Sequence, residues 1–131
     1  MTVRRDFPNS PASIGLARKF VMSQVAGVAD GVAENIAVMV SELVTNCVRH
    51  TVTDFTVTVD TTGREIRVEV TDHGGGVPVI RSPDPSEPSG RGLRIVRELS
   101  DAFGITELPS QPGKTVWFVA SLEERSGARG R

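Results

Sequence analysis

The sequence predicts an α+β fold in which one layer of helices covers one face of a mixed sheet. Three observations carry this. Asp54 to Asp60 and Glu65 to Thr71 alternate apolar and polar residues on either side of a short connection, the pattern of a hairpin with one dry face. Asp30 to His50 repeats apolar residues at three- and four-residue intervals, the pattern of a helix with one buried stripe. The elements run strand, two helices, hairpin, loop, helix, two strands, with no parallel strand–helix–strand unit.

Taken in order, Thr2 to Phe7 is a short edge strand. Pro8-Asn9-Ser10-Pro11 turns the chain, and Ser10 caps a first helix with Pro11 at its first position. That helix runs to about Val25, with Arg18 and Lys19 pointing outward. Gly27 to Gly31 breaks it, and Asp30 caps the long second helix, whose apolar stripe is Ala33, Ile36, Ala37, Val40, Leu43, Val44, Cys47 and Val48. In the hairpin Phe55, Val57, Val59 and Ile66, Val68, Val70 face inward, and Thr61 to Arg64 joins the strands. Val77 to Ser89 carries four prolines and is neither helix nor central strand, so it is a mobile or extended loop. Ser89 caps a third helix from Gly90 to about Ala102, with Leu93, Val96 and Leu99 on the core side. Phe103 to Leu108 and Thr115 to Leu122 are strands around a turn at Pro109 to Lys114. The domain is therefore expected over residues 1–122, with 123–131 a disordered tail.

The chain has 131 residues, enough for one domain with a real core. Its net charge of −1 gives no general field for nucleic acid or an anionic membrane. The single cysteine, Cys47, lies on the apolar stripe, so neither an internal disulfide nor a cysteine-ligated zinc site forms within one chain. No apolar run approaches the roughly 20 residues of a membrane helix, and the N-terminal residues lack a signal-peptide core. A cytoplasmic protein is expected.

Four short motifs carry chemistry. Glu42, Asn46 and His50 recur at every fourth position, so they form one polar row beside the apolar stripe. A carboxylate and an amide on one ridge can hold a metal ion and position an attacking group. Asp72-His73-Gly74-Gly75-Gly76 ends a strand, where a carboxylate can accept a hydrogen bond from an exocyclic amine and glycines admit a flat ring. Ser89-Gly90-Arg91-Gly92-Leu93 enters a helix, whose free amides favour an anion. Gly113-Lys114-Thr115 opens a strand and offers a hydroxyl near the base pocket. It is not a phosphate loop of the Walker type, because the upstream glycine is missing and no helix follows.

The four motifs, in this order and on these elements, resemble the N, G1, G2 and G3 boxes of the GHKL-type (Bergerat) ATPase domain shared by histidine kinases, gyrase and MutL. The resemblance covers roughly residues 2 to 122. Within that family the chain looks most like the small stand-alone anti-sigma-factor serine/threonine kinases of the RsbW and SpoIIAB type. The domain stands alone, the loop between the second and third motifs is short, and Leu16-Ala17-Arg18 resembles the segment that grips a sigma factor.

The resemblance implies a two-layer sandwich with a mixed, mostly antiparallel sheet, and ATP with Mg2+ held between the helices and a lid at about 77–89. Asp72 would bind the adenine amine, with Thr115 nearby through water, and Gly74 and Gly76 would shape the base pocket. Asn46 would coordinate Mg2+. Gly90, Arg91, Gly92 and Leu93 would line the triphosphate, with Arg91 adding positive charge. Glu42 would be the general base for a serine hydroxyl on a partner, since phosphoryl transfer asks mostly for positioning and charge neutralisation. Arg18 would contact a partner. The implied partners are a sigma factor and an anti-anti-sigma protein of the STAS type, with no direct nucleic-acid or membrane contact. Such domains often dimerise, although no surface in the sequence announces it. The lid departs from the family pattern in being proline-rich and lacking lysine. His50 reads as a structural helix-end residue, and His73 receives no role. Two other functions fit the same motifs: a non-catalytic ATP-gated binding module, and the catalytic half of a split histidine kinase whose phosphoacceptor lies on another chain.

Overall fold

The computed structural model describes residues 1–74 and 88–124, without the side chains of 88–91. The lid expected at 77–89, apart from its last two residues, and most of the expected tail lie outside the described residues.

Among the described residues eight elements follow one another: β1 (Thr2–Phe7), α1 (Ala12–Met22), α2 (Asp30–His50), β2 (Phe55–Thr61), β3 (Glu65–Asp72), α3 (Pro88–Leu99), β4 (Ala102–Glu107) and β5 (Lys114–Ser121). The strands form one sheet in the order β1-β2-β3-β5-β4. All four ladders are antiparallel, so the sheet expected to be mixed contains no parallel pair. The fold is an α+β sandwich. Its centre is α2, which packs between α1 and α3 and lies over β3 and β5.

Strand alternation builds the core. Phe55, Val57 and Val59 of β2, Ile66, Val68 and Val70 of β3, and Val116, Phe118 and Ala120 of β5 are all buried on the face toward the helices. Above them lie Ala17 and Val21 of α1, Ile36, Met39, Val40, Leu43, Val44 and Cys47 of α2, and Val96 of α3. These residues form a single cluster, with Phe7 stacked on Phe55 and edge-on to Phe20. The opposite face of the sheet carries polar residues and Trp117. The Arg67 guanidinium lies 4.2 Å from the Trp117 ring centroid, and Trp117 Nε1 donates to Thr106 Oγ1 at 3.3 Å. Gly104 makes room for the indole, because a Cβ there would lie 2.5 Å from Trp117 Cζ2.

Helix ends differ from expectation in ways that capping explains. Ser10 Oγ accepts from the Ala12 N–H at 3.2 Å, but Pro11 and not Ser10 stands at the N-cap of α1, which therefore has no side-chain cap. Asp30 is instead the first residue inside α2, and Ala29 before it supplies no side-chain cap. Its charge acts on the helix dipole, complemented by Arg49 and His50 in the last turn. Ser89 also lies inside its helix, because α3 starts at Pro88, where the missing N–H is harmless. The same helix stops at Leu99, which is 37% exposed, and Ala102 belongs to β4.

Replacing Phe118, which is fully buried on the interior strand β5, removes packing from both layers. Phe118→Ala should lower unfolding free energy by about 3–5 kcal/mol, read by urea denaturation; a loss below about 1 kcal/mol would mean the core can close over the gap.

Candidate functional site

Asp72 ends β3 on the side facing the helices, because it shares strand parity with Val70 and Val68. It is only 5% exposed. A carboxylate buried so deeply needs partners, and it has two. Oδ1 accepts the Gly74 N–H at 3.0 Å and Oδ2 accepts Lys114 Nζ at 3.1 Å. The backbone around it is tightly interlocked. Gly74 has φ +70°, and a Cβ there would strike Pro112 and come within 2.8 Å of the Gly113 nitrogen. Gly113 has φ +121°, and a Cβ there would strike the Asp72 carbonyl oxygen. Both positions therefore require glycine. The result is a fixed floor where the end of β3 meets the start of β5.

The C-terminal half of α2 stands over this floor. The Cys47 thiol is near enough to Asp72 and Lys114 to feel both charges. Burial pushes its pKa up from 9.0 to about 11, the Thr51 hydrogen bond pulls the other way, and the Asp72 charge adds to the rise. Cys47 is thus a protonated, inert core thiol. Along the same helix Glu42 and Asn46 are half-buried and His50 is exposed, so the row leaves the protein at its last member. Glu42 reaches α3: a Cβ on Gly92 would collide with its carboxylate. Gly92 is buried, and this contact lets α2 and α3 approach closely. Leu93 is half-buried and packs on the hydrophobic core.

Thr115 does not lie with Asp72. Its hydroxyl is 2.8 Å from that of Thr71, its ladder partner, and Thr71 points to the sheet face away from the helices. The expected base-pocket hydroxyl is therefore on the wrong side of the sheet. Lys114, one residue earlier, has the parity of Val116 and Phe118 and takes the place beside Asp72. Arg18 also differs from the outward-pointing residue expected. It is half-buried, and Nη1 donates to Ser41 Oγ of α2 at 3.0 Å. Neighbouring Leu16 is the exposed residue of that segment, at 53%. Gly76 lies outside the described residues, and Gly90 and Arg91 are described only as backbone in the first turn of α3.

His73, which has no role in the sequence reading, anchors the start of the glycine segment. Its backbone N–H donates to Thr53 Oγ1 at 3.1 Å, and its Nε2 lies 3.2 Å from Thr56 Oγ1. The Thr56 hydroxyl gives its one hydrogen to Asp6 Oδ1 at 2.6 Å, so Nε2 must carry the hydrogen of the other bond.

The donor set suits a hard cation. Glu42 and Asn46 offer oxygen, the ligand type of Mg2+, which also keeps waters and takes phosphate oxygens. Among the described residues no three His, Cys, Asp or Glu side chains gather into a metal cluster, so such an ion would depend on its ligand's oxygens. No helix among the described residues is long and apolar enough to cross a membrane.

The family model of the histidine kinase-like ATPase domain matches residues 7–120, which include every described strand and helix from α1 to β4, and this chain belongs to that family. It is a GHKL-type ATPase domain, whose implied ligand is ATP. No curated protein matches the chain significantly.

The raised Cys47 pKa gives a two-part expectation. At about pH 8 the native thiol should react with a disulfide reagent at least tenfold more slowly than in denaturant, since reaction needs exposed thiolate. Folding favours the neutral thiol, so its share of stability is complete below pH 9.0 and is lost as pH rises toward about 11. Rapid labelling of the native protein would contradict the burial described.

Proposed function

We propose that this domain binds ATP with Mg2+ and acts as an anti-sigma-factor serine kinase. It would sequester a sigma factor and phosphorylate a serine on an anti-anti-sigma partner of the STAS type. The observation that carries the nucleotide part is the buried Asp72 carboxylate, held by Gly74 and Lys114 beneath α2. A fixed acceptor in a nearly dry site suits the exocyclic amine of adenine. The transfer part is supported by Glu42, on one ridge with Asn46 and against the start of α3.

In the transfer, a partner serine oxygen bonds to the γ-phosphorus as the bond from that phosphorus to its bridging oxygen breaks. The serine proton passes to the Glu42 carboxylate, and ADP leaves. Mg2+, when bound, neutralises charge on the phosphate oxygens. The Asn46 amide oxygen is the protein ligand assigned to it, and the first-turn amides of α3 favour the anion. Phosphate added to the partner would weaken a close interface through charge and desolvation. In the sigma-binding reading, exposed Leu16 supplies the apolar contact, and Arg18 supplies a guanidinium fixed against α2.

One observation favours a second reading, an ATP-gated binding module without transfer. The Glu42 carboxylate packs on Gly92, so it serves helix packing whether or not it also serves as a base.

One measurement tests the nucleotide site that both readings share, and a second separates them. ATP with Mg2+ at a hundred times its dissociation constant should stabilise the domain by about 2.7 kcal/mol, several degrees in a thermal melt. Asn46→Ala should remove the Mg2+-dependent part of that rise while the melt without ligand changes little. No rise in the parent protein would overturn the nucleotide reading. Glu42→Gln should slow partner phosphorylation by about a hundredfold or more and leave the ATP-induced rise in place. An unaltered rate would remove Glu42 as the base, and no phosphorylation by the parent protein would leave the binding module.

A further inference from the structure

We infer that Lys114 reads the N1 position of adenine and, with Asp72, sets the preference for adenine over guanine nucleotides. This rests on the proposal that the Asp72 site holds a nucleotide base. The Asp72 carboxylate alone is a poor discriminator. It only accepts hydrogen bonds, and both bases can donate to it: adenine through its 6-amino group, guanine through N1–H and its 2-amino group. Two donors side by side make guanine the better partner of an isolated carboxylate.

Lys114 reverses that preference. An ammonium only donates, with three hydrogens, one of which goes to Asp72 Oδ2 at 3.1 Å. The pair thus presents an acceptor beside a donor. The adenine edge presents the matching order, the 6-amino donor beside the N1 acceptor. Guanine carries the O6 acceptor beside the N1–H donor, the opposite order. With guanine in the same pose, O6 would face the carboxylate and N1–H the ammonium.

The backbone fixes both partners. Thr71 and Thr115 form the last ladder pair of β3 and β5, so Asp72 and Lys114 come next across the same two strands. Gly113, bound to positive φ, sets the approach to β5, and its neighbour Gly74 holds the other carboxylate oxygen. The Lys114 side chain is 33% exposed against 7% for Asp72, so it is the more open member of the pair. Sequence motifs alone point to the hydroxyl of Thr115 here, which the sheet turns away.

The test uses three triphosphates with the unaltered protein: ATP, 1-deaza-ATP, in which C–H replaces the N1 acceptor, and purine riboside triphosphate, which lacks the 6-amino group. Each should bind at least about tenfold more weakly than ATP when its contact is missing, as for a hydrogen bond to a charged group. Lys114→Met should bind ATP and 1-deaza-ATP equally, yet still prefer ATP over the purine analogue, because Asp72 remains. Lys114→Arg should keep the discrimination against 1-deaza-ATP. Equal binding of ATP and 1-deaza-ATP by the unaltered protein would overturn the role of Lys114 and leave the ATP site standing. Failure of all three to bind would overturn both. Losing Lys114 leaves Asp72 buried without its cation and can impair folding, so the comparison in the unaltered protein decides the matter without any variant.

Discussion

The position of α2 across β3 and β5 is the constraint on which the rest depends. Burying one apolar stripe fixes a helix in rotation as well as in place. Once Ile36, Val40, Leu43, Val44 and Cys47 face the sheet, Glu42 and Asn46 must lie on the flank. Gly92 then sets how near α3 comes to that flank, because any side chain there would displace the Glu42 carboxylate. The polar ridge and the start of α3 are therefore brought together by packing, before any ligand contributes.

The floor of the site obeys a different physics. Asp72 is charged and nearly dry, a costly condition unless it is well paired. Two glycines with positive φ let the ends of β3 and β5 interlock, which keeps its two donors in place. Rigidity here comes from backbone touching backbone. A floor that cannot relax holds an acceptor and a donor in one fixed order, which a flexible pair of side chains would not do.

Much of this was legible in the sequence. The apolar periodicities located the hairpin, the stripe of α2 and the core face of β5, because burial is written directly into alternation. The spacing of Glu42 and Asn46 places them on one ridge of α2, and the alternation of β3 puts Asp72 on its helix-facing side. What spacing did not give was sidedness. The hydroxyl makes Thr115 look suited to a base pocket, although Val116, Phe118 and Ala120 assign the core face to even-numbered positions, and that parity selects Lys114. Arg18 looks like an outward charge because a helix flank bordering another helix looks polar in sequence. The bond to Ser41 exists only once α1 and α2 are side by side. The starts of α2 and α3 are hidden for a related reason: Asp30 and Ser89 are good capping residue types, yet each helix begins at or before them.

Trp117 lies on the sheet face opposite α2, held between Gly104 and the Arg67 guanidinium. It is the sole tryptophan of the chain. Its emission therefore reports on the integrity of the sheet from the side that the site does not use. Optical signals from folding and from ligand occupancy are separated by the architecture itself, so the stability of the scaffold can be followed while the site is filled or emptied.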